Sequence, residues 1–297
     1  MSISQQLPSS VFIFGCGYVG TALAQYLLAS GVRVGALTRN AEKATRLRAL
    51  GLSQVIEGDL DSDDWHTAVT DHYDGVVNCV SSAGGGLAGY RKSYLEGQRS
   101  ILRWAQSRRI QSYVYTSSTS VYSQDGGVTV DESSDTEAAP PTGRVVRESE
   151  AMLENASCLE RWYVLRLAGI YGPGRHYLLD QLRAGTGEIP GSGDYALNMI
   201  HLDDIVAAIC AALCGVADSG IYNIADDSPA TKAAVLAHLA EQMDLPQPIF
   251  NPAIVSARLA RRGGRMPHRY VSNAKAKAGL GWSPQYPSYR EGYAALV

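Results

Sequence analysis

The stretch Val11-Phe12-Ile13-Phe14-Gly15-Cys16-Gly17-Tyr18-Val19-Gly20 decides how the rest of the chain is read. Four apolar residues make a buried strand, and Gly15-x-Gly17-x-x-Gly20 then opens an uncharged helical run through Ala29. Each glycine answers a separate physical demand. Gly15 permits the tight turn off the strand, Gly17 lets backbone approach a pyrophosphate, and Gly20 lets the helix pack close to the strand. N–H groups of the first helical turn, unpaired within the helix and at the positive end of its dipole, then face the anion. Gly15, Gly17, Tyr18, Val19 and Gly20 are therefore expected to line a dinucleotide.

Bulk properties narrow the classes that this stretch can serve. With 297 residues the chain has room for a large core and two lobes. A composition of 45% hydrophobic and 19% charged residues is that of a globular enzyme, and a formal charge of −3 argues against nucleic acid or anionic membrane as partner. Residues 11–32 carry no charge, but no Lys or Arg precedes them and four glycines interrupt or bound them, so no membrane or secretory segment is expected. A cytoplasmic location follows as the expectation. Cys16, Cys79, Cys158, Cys210 and Cys214 form no CxxC pair and read as reduced small residues. Six histidines show no metal-ligand spacing, so no metal site is predicted.

Strand and helix patterns alternate outward from the glycine turn. Apolar runs at 11–15, 32–37, 53–57, 75–80, 112–116 and 162–167 predict buried parallel strands. Helical stretches fall near 18–30, 41–50, 62–70, 88–108 and 143–156. The fold class is therefore α/β: a doubly wound parallel sheet of the Rossmann type, with right-handed connections and ligand at the strand carboxyl ends. The alternation stops after Ile170, at Gly172-Pro173-Gly174, and a glycine-rich loop follows at 185–193. A helix at 203–214 and a strand at 220–224 return to the sheet. The predicted division is 1–172 with 198–226 as the dinucleotide domain, and 173–197 with 227–297 as a smaller substrate lobe.

The second strand ends Leu37-Thr38-Arg39-Asn40. An acidic residue there would bond the ribose hydroxyls of NAD; neutral Thr38 and the fork-shaped cation Arg39 favour the 2′-phosphate of NADP over NAD. Asp59, after the third strand, is placed to accept from the adenine amino group, or else to cap the helix near 62–70. Leu60, Val80 and Ser81 complete the expected cofactor set.

Landmarks along nearly the whole chain resemble the extended, and in TRNAEKATRLRALG the atypical, short-chain dehydrogenase/reductase family of NAD-dependent epimerases and dehydratases. Beyond the glycine fingerprint these are GDL at 58–60, TSSTSVY at 116–122, LRLAGIYGPGR at 165–175, IHLDDI at 200–205, GIYNIAD at 220–226 and LGWSP at 280–284. The resemblance implies an oxidoreductase, epimerase or dehydratase acting on a sugar or nucleotide-sugar, and a homodimer through 88–108 and 143–156. It also implies four catalytic positions: Asn, Ser or Thr, Tyr and Lys. Ser118 keeps the serine. Thr142 and Val146 stand where tyrosine and lysine belong, a shift by one gives Gly143 and Arg147, and no tyrosine in the chain has a lysine four residues later. Tyr94 takes the asparagine position, three before Gly97.

Two explanations follow. In the first, the acid/base is rebuilt from Tyr94, or secondarily Tyr122, near Ser118, with phenols otherwise near a pKa of about 10. Alternatively the protein binds NADP without redox chemistry, as a sensor. Tyr171, Arg175 and His176 after the sixth strand, with Asn198, are the candidate substrate residues; His201 is expected to anchor the IHLDDI turn. Arg258, Arg261, Arg262, Arg265 and Arg269 form the one dense positive patch, either a diphosphate site or a solvated helix face.

Overall fold

Ser10–Phe14 is a fully buried strand, β1, whose side chains alternate between two cores. Val11 and Ile13 pack with Leu23, Leu27 and Val34 on one face. Phe12 and Phe14 pack on the other with Trp65, Tyr73 and Trp104, their ring centroids 5.0–5.9 Å apart. Burial on both faces is what an all-apolar strand requires, and it places β1 centrally. The computed structural model describes residues 6–82, 84–185, 187–256, 260 and 266–297.

Six further strands extend the sheet: β2 (Arg33–Thr38), β3 (Gln54–Glu57), β4 (Gly75–Asn78), β5 (Ser112–Ser118), β7 (Trp162–Leu167) and β12 (Gly220–Ile224). The short strand β6 (Val128–Val130) lies outside it. All seven run parallel in the order β12-β7-β5-β4-β1-β2-β3. Chain order reverses between β1 and β4, which makes the topological switch point where open α/β sheets bind ligands. Helices α1 (Tyr18–Ala29), α2 (Ala41–Ala49), α3 (Gly86–Tyr90), α4 (Gly97–Ala105) and α5 (Pro141–Glu154) connect these strands.

Two helices differ from the sequence expectation. The region near 62–70 holds only a 3₁₀ turn, Asp64–His66, because Trp65 buries against Phe14 and leaves too short a polar segment to continue. The stretch 88–108 is divided: Arg91–Glu96 takes a π-helical turn between α3 and α4. Such π turns recur at functional positions.

Beyond β7 come β8 (Gly169–Tyr171), α6 (Tyr177–Arg183), β9 (Glu188–Pro190), β10 (Ala196–Leu197), β11 (Met199–His201) and α7 (Leu202–Leu213). After β12 follow β13 (Ala230–Thr231), α8 (Lys232–Gln242), β14 (Ile249–Asn251), β15 (Arg269–Val271) and the helices Ala274–Leu280 and Tyr289–Tyr293. A third core gathers Leu178, Leu179, Ile189, Leu236, Leu239 and Tyr293 from these elements.

Candidate functional site

The glycine turn is shaped by close backbone approach. Gly15 has φ +84, and a Cβ on it would lie 2.7–2.9 Å from the backbone of Cys79 and Val80. A Cβ on Gly20 would lie 2.5 Å from the Gly15 carbonyl oxygen, so this glycine lets α1 sit against β1. Gly17 is different: a Cβ there meets no atom within 4 Å. Its bareness serves nothing inside the protein and opens onto a cleft of about 320 Å³.

That cleft is lined by Gly15 and Gly17, by Thr38, Arg39, Asn40 and Lys43 after β2, by Asp59 and Leu60 after β3, and by Val80 and Ser81 after β4. Asn40 caps α2, its Oδ1 accepting from the Lys43 amide at 2.8 Å, which fixes the turn bearing Arg39 and Lys43. Arg39 reaches Asp59 at 3.9 Å and Lys92 reaches Asp61 at 2.7 Å, so ion pairs cross the side of the cleft formed after β2 and β3. Lys92 holds the Asp61 carboxyl below its usual range by hydrogen bonding. Cys16 and Cys79 also line this cleft, and burial pushes each thiol up to about 12, which leaves them protonated. The residues fit an NAD-type cofactor: a bare Gly17 cradle, a carboxylate at the adenine end and cations beside the ribose position. Lys43 and Lys92 were missed in the sequence reading; Lys43 stands one helical turn beyond Arg39, a spacing that carries the signal.

A second cavity, about 360 Å³, opens at the carboxyl ends of β5, which neighbours β4, and of β7 beyond it. Ser118, Arg175, Asn198 and Arg269 line it together with Tyr177 and Tyr195. Ser118 Oγ accepts from the Ser120 amide at 3.2 Å, which leaves its hydrogen for a ligand. Tyr18, at the start of α1, reaches the turn that carries Arg175. Its hydroxyl donates to the Pro173 carbonyl at 2.9 Å, and the Arg175 guanidinium lies 5.5 Å from its ring centroid. Asn198 spends both ends of its carboxamide internally, donating to Arg269 O at 3.0 Å and accepting from Val271 N at 2.8 Å.

Four expected residues are placed elsewhere. Tyr122 is buried, and its hydroxyl donates to Asn223 Oδ1 at 2.8 Å while accepting from Arg166 Nη1 at 2.9 Å. It belongs to a buried network in which Arg166 forks onto Glu150 at 2.7 and 3.0 Å, so a role for Tyr122 at substrate is corrected. Tyr171 stacks on Tyr293 at 4.7 Å and its hydroxyl sits against Gly292, deep in the third core; this too corrects the expectation of substrate contact. His176 pairs with Asp180 at 3.1 Å on α6 and is not among the residues lining the cavity. Tyr94, in the π turn, packs its ring at a tilt against Tyr90 at 5.2 Å and lines neither cavity; burial raises its phenol, and the Ser82 amide opposes that.

His201 caps α7 by accepting from the Asp203 amide at 3.3 Å, as the IHLDDI reading expects. In α5, Thr142 sits in the first turn and Val146 is buried in the core. Arg258, Arg261, Arg262 and Arg265 lie outside the described residues, and no group of three or more metal-ligating side chains occurs among those described. No described helix is long and apolar enough to cross a membrane.

A model of the NAD dependent epimerase/dehydratase family matches residues 11–225. Protein YeeZ of Escherichia coli K12 is 28% identical over 284 residues, 93% of this chain and 96% of its own. A 3-diazoavenalumate denitrifying reductase from a Streptomyces species is 34% identical over 161 residues, 51% of each chain. Among solved structures, a functionally unknown conserved protein from Silicibacter pomeroyi superposes with TM-score 0.77 at 26% identity, covering 97% of this chain and 98% of its own. DesIV, a dTDP-glucose 4,6-dehydratase from Streptomyces venezuelae with NAD and TYD bound, superposes with TM-score 0.81 at 19% identity over 96% and 95% of the two chains. At that identity the likeness is one of fold.

Proposed function

Because the chain belongs to the NAD-dependent epimerase/dehydratase family, we propose that it is an NAD(P)-dependent enzyme, NADP preferred, acting at a carbonyl or hydroxyl carbon of a small, sugar-like molecule. The observation that carries this reading is the run of strand ends from the Gly17 cleft to the cavity holding Ser118. Bound in the first cleft, the nicotinamide cofactor supplies the redox equivalents.

This chain's residues do the rest. Arg39 and Lys43 hold the 2′-phosphate, with Thr38 leaving room where an acid would repel it. Arg39 is about half exposed and its contact with Asp59 is long, so the phosphate displaces that pair at little cost. Asp59 accepts from the adenine amino group. Ser118 donates to the substrate oxygen, polarising the carbonyl.

The proton that a lysine-assisted tyrosine of α5 would move must come from elsewhere. Among the described residues lining the second cavity, Tyr177 and Tyr195 are the phenols; its serines, threonine and asparagine do not titrate usefully, and arginine stays protonated. The reading is therefore that the C-terminal lobe supplies the proton. A substrate cavity with a hydrogen-bonding serine favours catalysis over a sensor role.

Titrating purified protein with NADPH and NADH, followed by nucleotide fluorescence, tests the cofactor assignment. NADPH is expected to bind about 10- to 100-fold more tightly, the worth of one or two charge-assisted phosphate contacts. Arg39→Ser should remove that margin. Equal affinity for the two in wild type refutes NADP selection, and consistent failure to oxidise NADPH with a broad panel of aldehydes and ketones refutes the reductase chemistry.

A further inference from the structure

Three cations and one carboxylate line the first cleft among its described residues: Arg39, Lys43 and Lys92 with Asp59. Asp59 Oδ2 stands 3.9 Å from Arg39 Nη1 and 3.8 Å from Lys92 Nζ, so two of the cations share one oxygen. Asp61 is not among the lining residues, and it holds the Lys92 ammonium at 2.7 Å.

Packing between two segments brings these groups together. Leu60 is buried, and a Cβ on Gly97 at the head of α4 would lie 3.3 Å from its Cδ1, so the turn carrying Asp59 and Asp61 is seated against that helix. The π turn Arg91–Glu96, immediately before α4, buries Leu95 and presents Lys92 and Ser93 to the cleft. Lys92 therefore approaches Asp59 from the segment after β4, and Arg39 approaches it from the turn after β2. The hydrogen bond to Asp61, with the Asp59 charge adding, raises the Lys92 ammonium above its usual value and keeps it charged.

A 2′-phosphate arriving in this cleft draws Arg39 away from Asp59. With no second cation, Asp59 would then stand unpaired beside a new negative group, and that cost would fall on NADPH and not on NADH. Lys92 is already at the same oxygen and takes up the charge. From this arrangement we infer that Lys92 is a specificity-determining residue of the first cleft: it neutralises Asp59 when Arg39 turns to the 2′-phosphate, and so sets part of the preference for NADPH. The inference rests on the proposed preference for NADP and names how the site sustains it. Lys92 acts through Asp59 and is a positioning residue, because its bond to Asp61 holds the ammonium at that turn.

The test is NADPH and NADH affinity, read by nucleotide fluorescence, for four forms of the full chain: wild type, Lys92→Gln, Asp59→Asn and the two substitutions combined. Asp59→Asn removes the charge but keeps an acceptor oxygen for the adenine amino group. Lys92→Gln should lower the NADPH-over-NADH preference about three- to fivefold, the worth of a partly exposed ion pair, with the loss falling on NADPH. In the Asp59→Asn background the same substitution should leave the preference unchanged, because no charge remains to neutralise. Lys92→Arg keeps the cation and should keep most of the preference. The Lys92 side chain is 46% exposed, so these variants should fold, and their melting curves are the control.

A preference unaltered by Lys92→Gln, in a protein whose wild type favours NADPH, overturns the inference alone. Equal losses of NADPH and NADH affinity also overturn it, since a merely structural role weakens both. A drop of the same size in the Asp59→Asn background overturns it in favour of direct contact between Lys92 and the phosphate. Wild type that binds the two nucleotides equally refutes the proposed NADP preference, and this inference with it.

Discussion

Gly17→Ala separates what the glycine turn does for the fold from what it does for a ligand. Gly17 has φ −81, outside the left-handed region, and the methyl added in alanine meets no atom within 4 Å. Folding stability should therefore change by less than about 0.5 kcal/mol, the usual range for a substitution that touches nothing. The methyl projects where a pyrophosphate approaches the backbone. Losing one charge-assisted N–H contact there costs about 1.5–3 kcal/mol, or roughly 10- to 100-fold in affinity. Gly20→Ala is the counterpart. Its methyl would lie 2.5 Å from the Gly15 carbonyl, so α1 must move off β1, at about 1–3 kcal/mol of stability. Urea denaturation and NADPH fluorescence titration on both variants give the comparison. Retained NADPH affinity in Gly17→Ala, or a stability loss as large as that of Gly20→Ala, refutes the assignment of Gly17 to the ligand.

Other consequences follow from the buried polar groups. Glu150→Ala strands the Arg166 guanidinium, which is 2% exposed at its side chain, and should cost about 3–5 kcal/mol in urea denaturation; a loss under about 1 kcal/mol contradicts the network's role. Asp226 is buried, and burial raises its carboxyl to about 8, with Asp227 adding to the shift. An acid that titrates higher when folded favours folding most below its unfolded value of 3.8, and that advantage is lost as pH rises toward about 8. Asp226→Asn should therefore melt higher than wild type at pH near 8, with the gap closing toward pH near 4; a pH-independent gap sinks this assignment. Tyr94→Phe should keep turnover of any identified substrate within about twofold, whereas Tyr177→Phe with Tyr195→Phe should lower kcat by about 100-fold or more with NADPH affinity intact. The reverse ranking restores Tyr94 as the acid.

The sheet was legible because its central strands are buried on both faces, so each shows as a short apolar run with no competing helical period, whereas the edge strand β3 is only half-buried. The expected helix near 62–70 was not, because one large side chain, Trp65, is drawn into the aromatic core and overrides the local pattern. The residues lining the first cleft are local to the turns after β1, β2, β3 and β4, so spacing reveals them, and Lys43 was recoverable from its distance to Arg39. The residues lining the second cavity are assembled across distant segments. Tyr195, Asn198 and Arg269 meet only because β10, β11 and β15 fold onto the strand ends, and no sequence period records that. Tyr122 and Tyr171 misled for a complementary reason: a tyrosine beside a strand end can point into the core as readily as into the cleft, and partners a hundred or more residues away, Asn223 by a hydrogen bond and Tyr293 by ring stacking, decide which.

A crystal structure with NADP⁺ bound tests the coupling of the two cavities most directly. The adenosine 2′-phosphate should lie between Arg39 and Lys43, the pyrophosphate over Gly17, and the nicotinamide ring at the mouth of the Ser118 cavity. A cofactor bound with its 2′-phosphate away from both cations, or with the nicotinamide out of reach of Ser118, would contradict it.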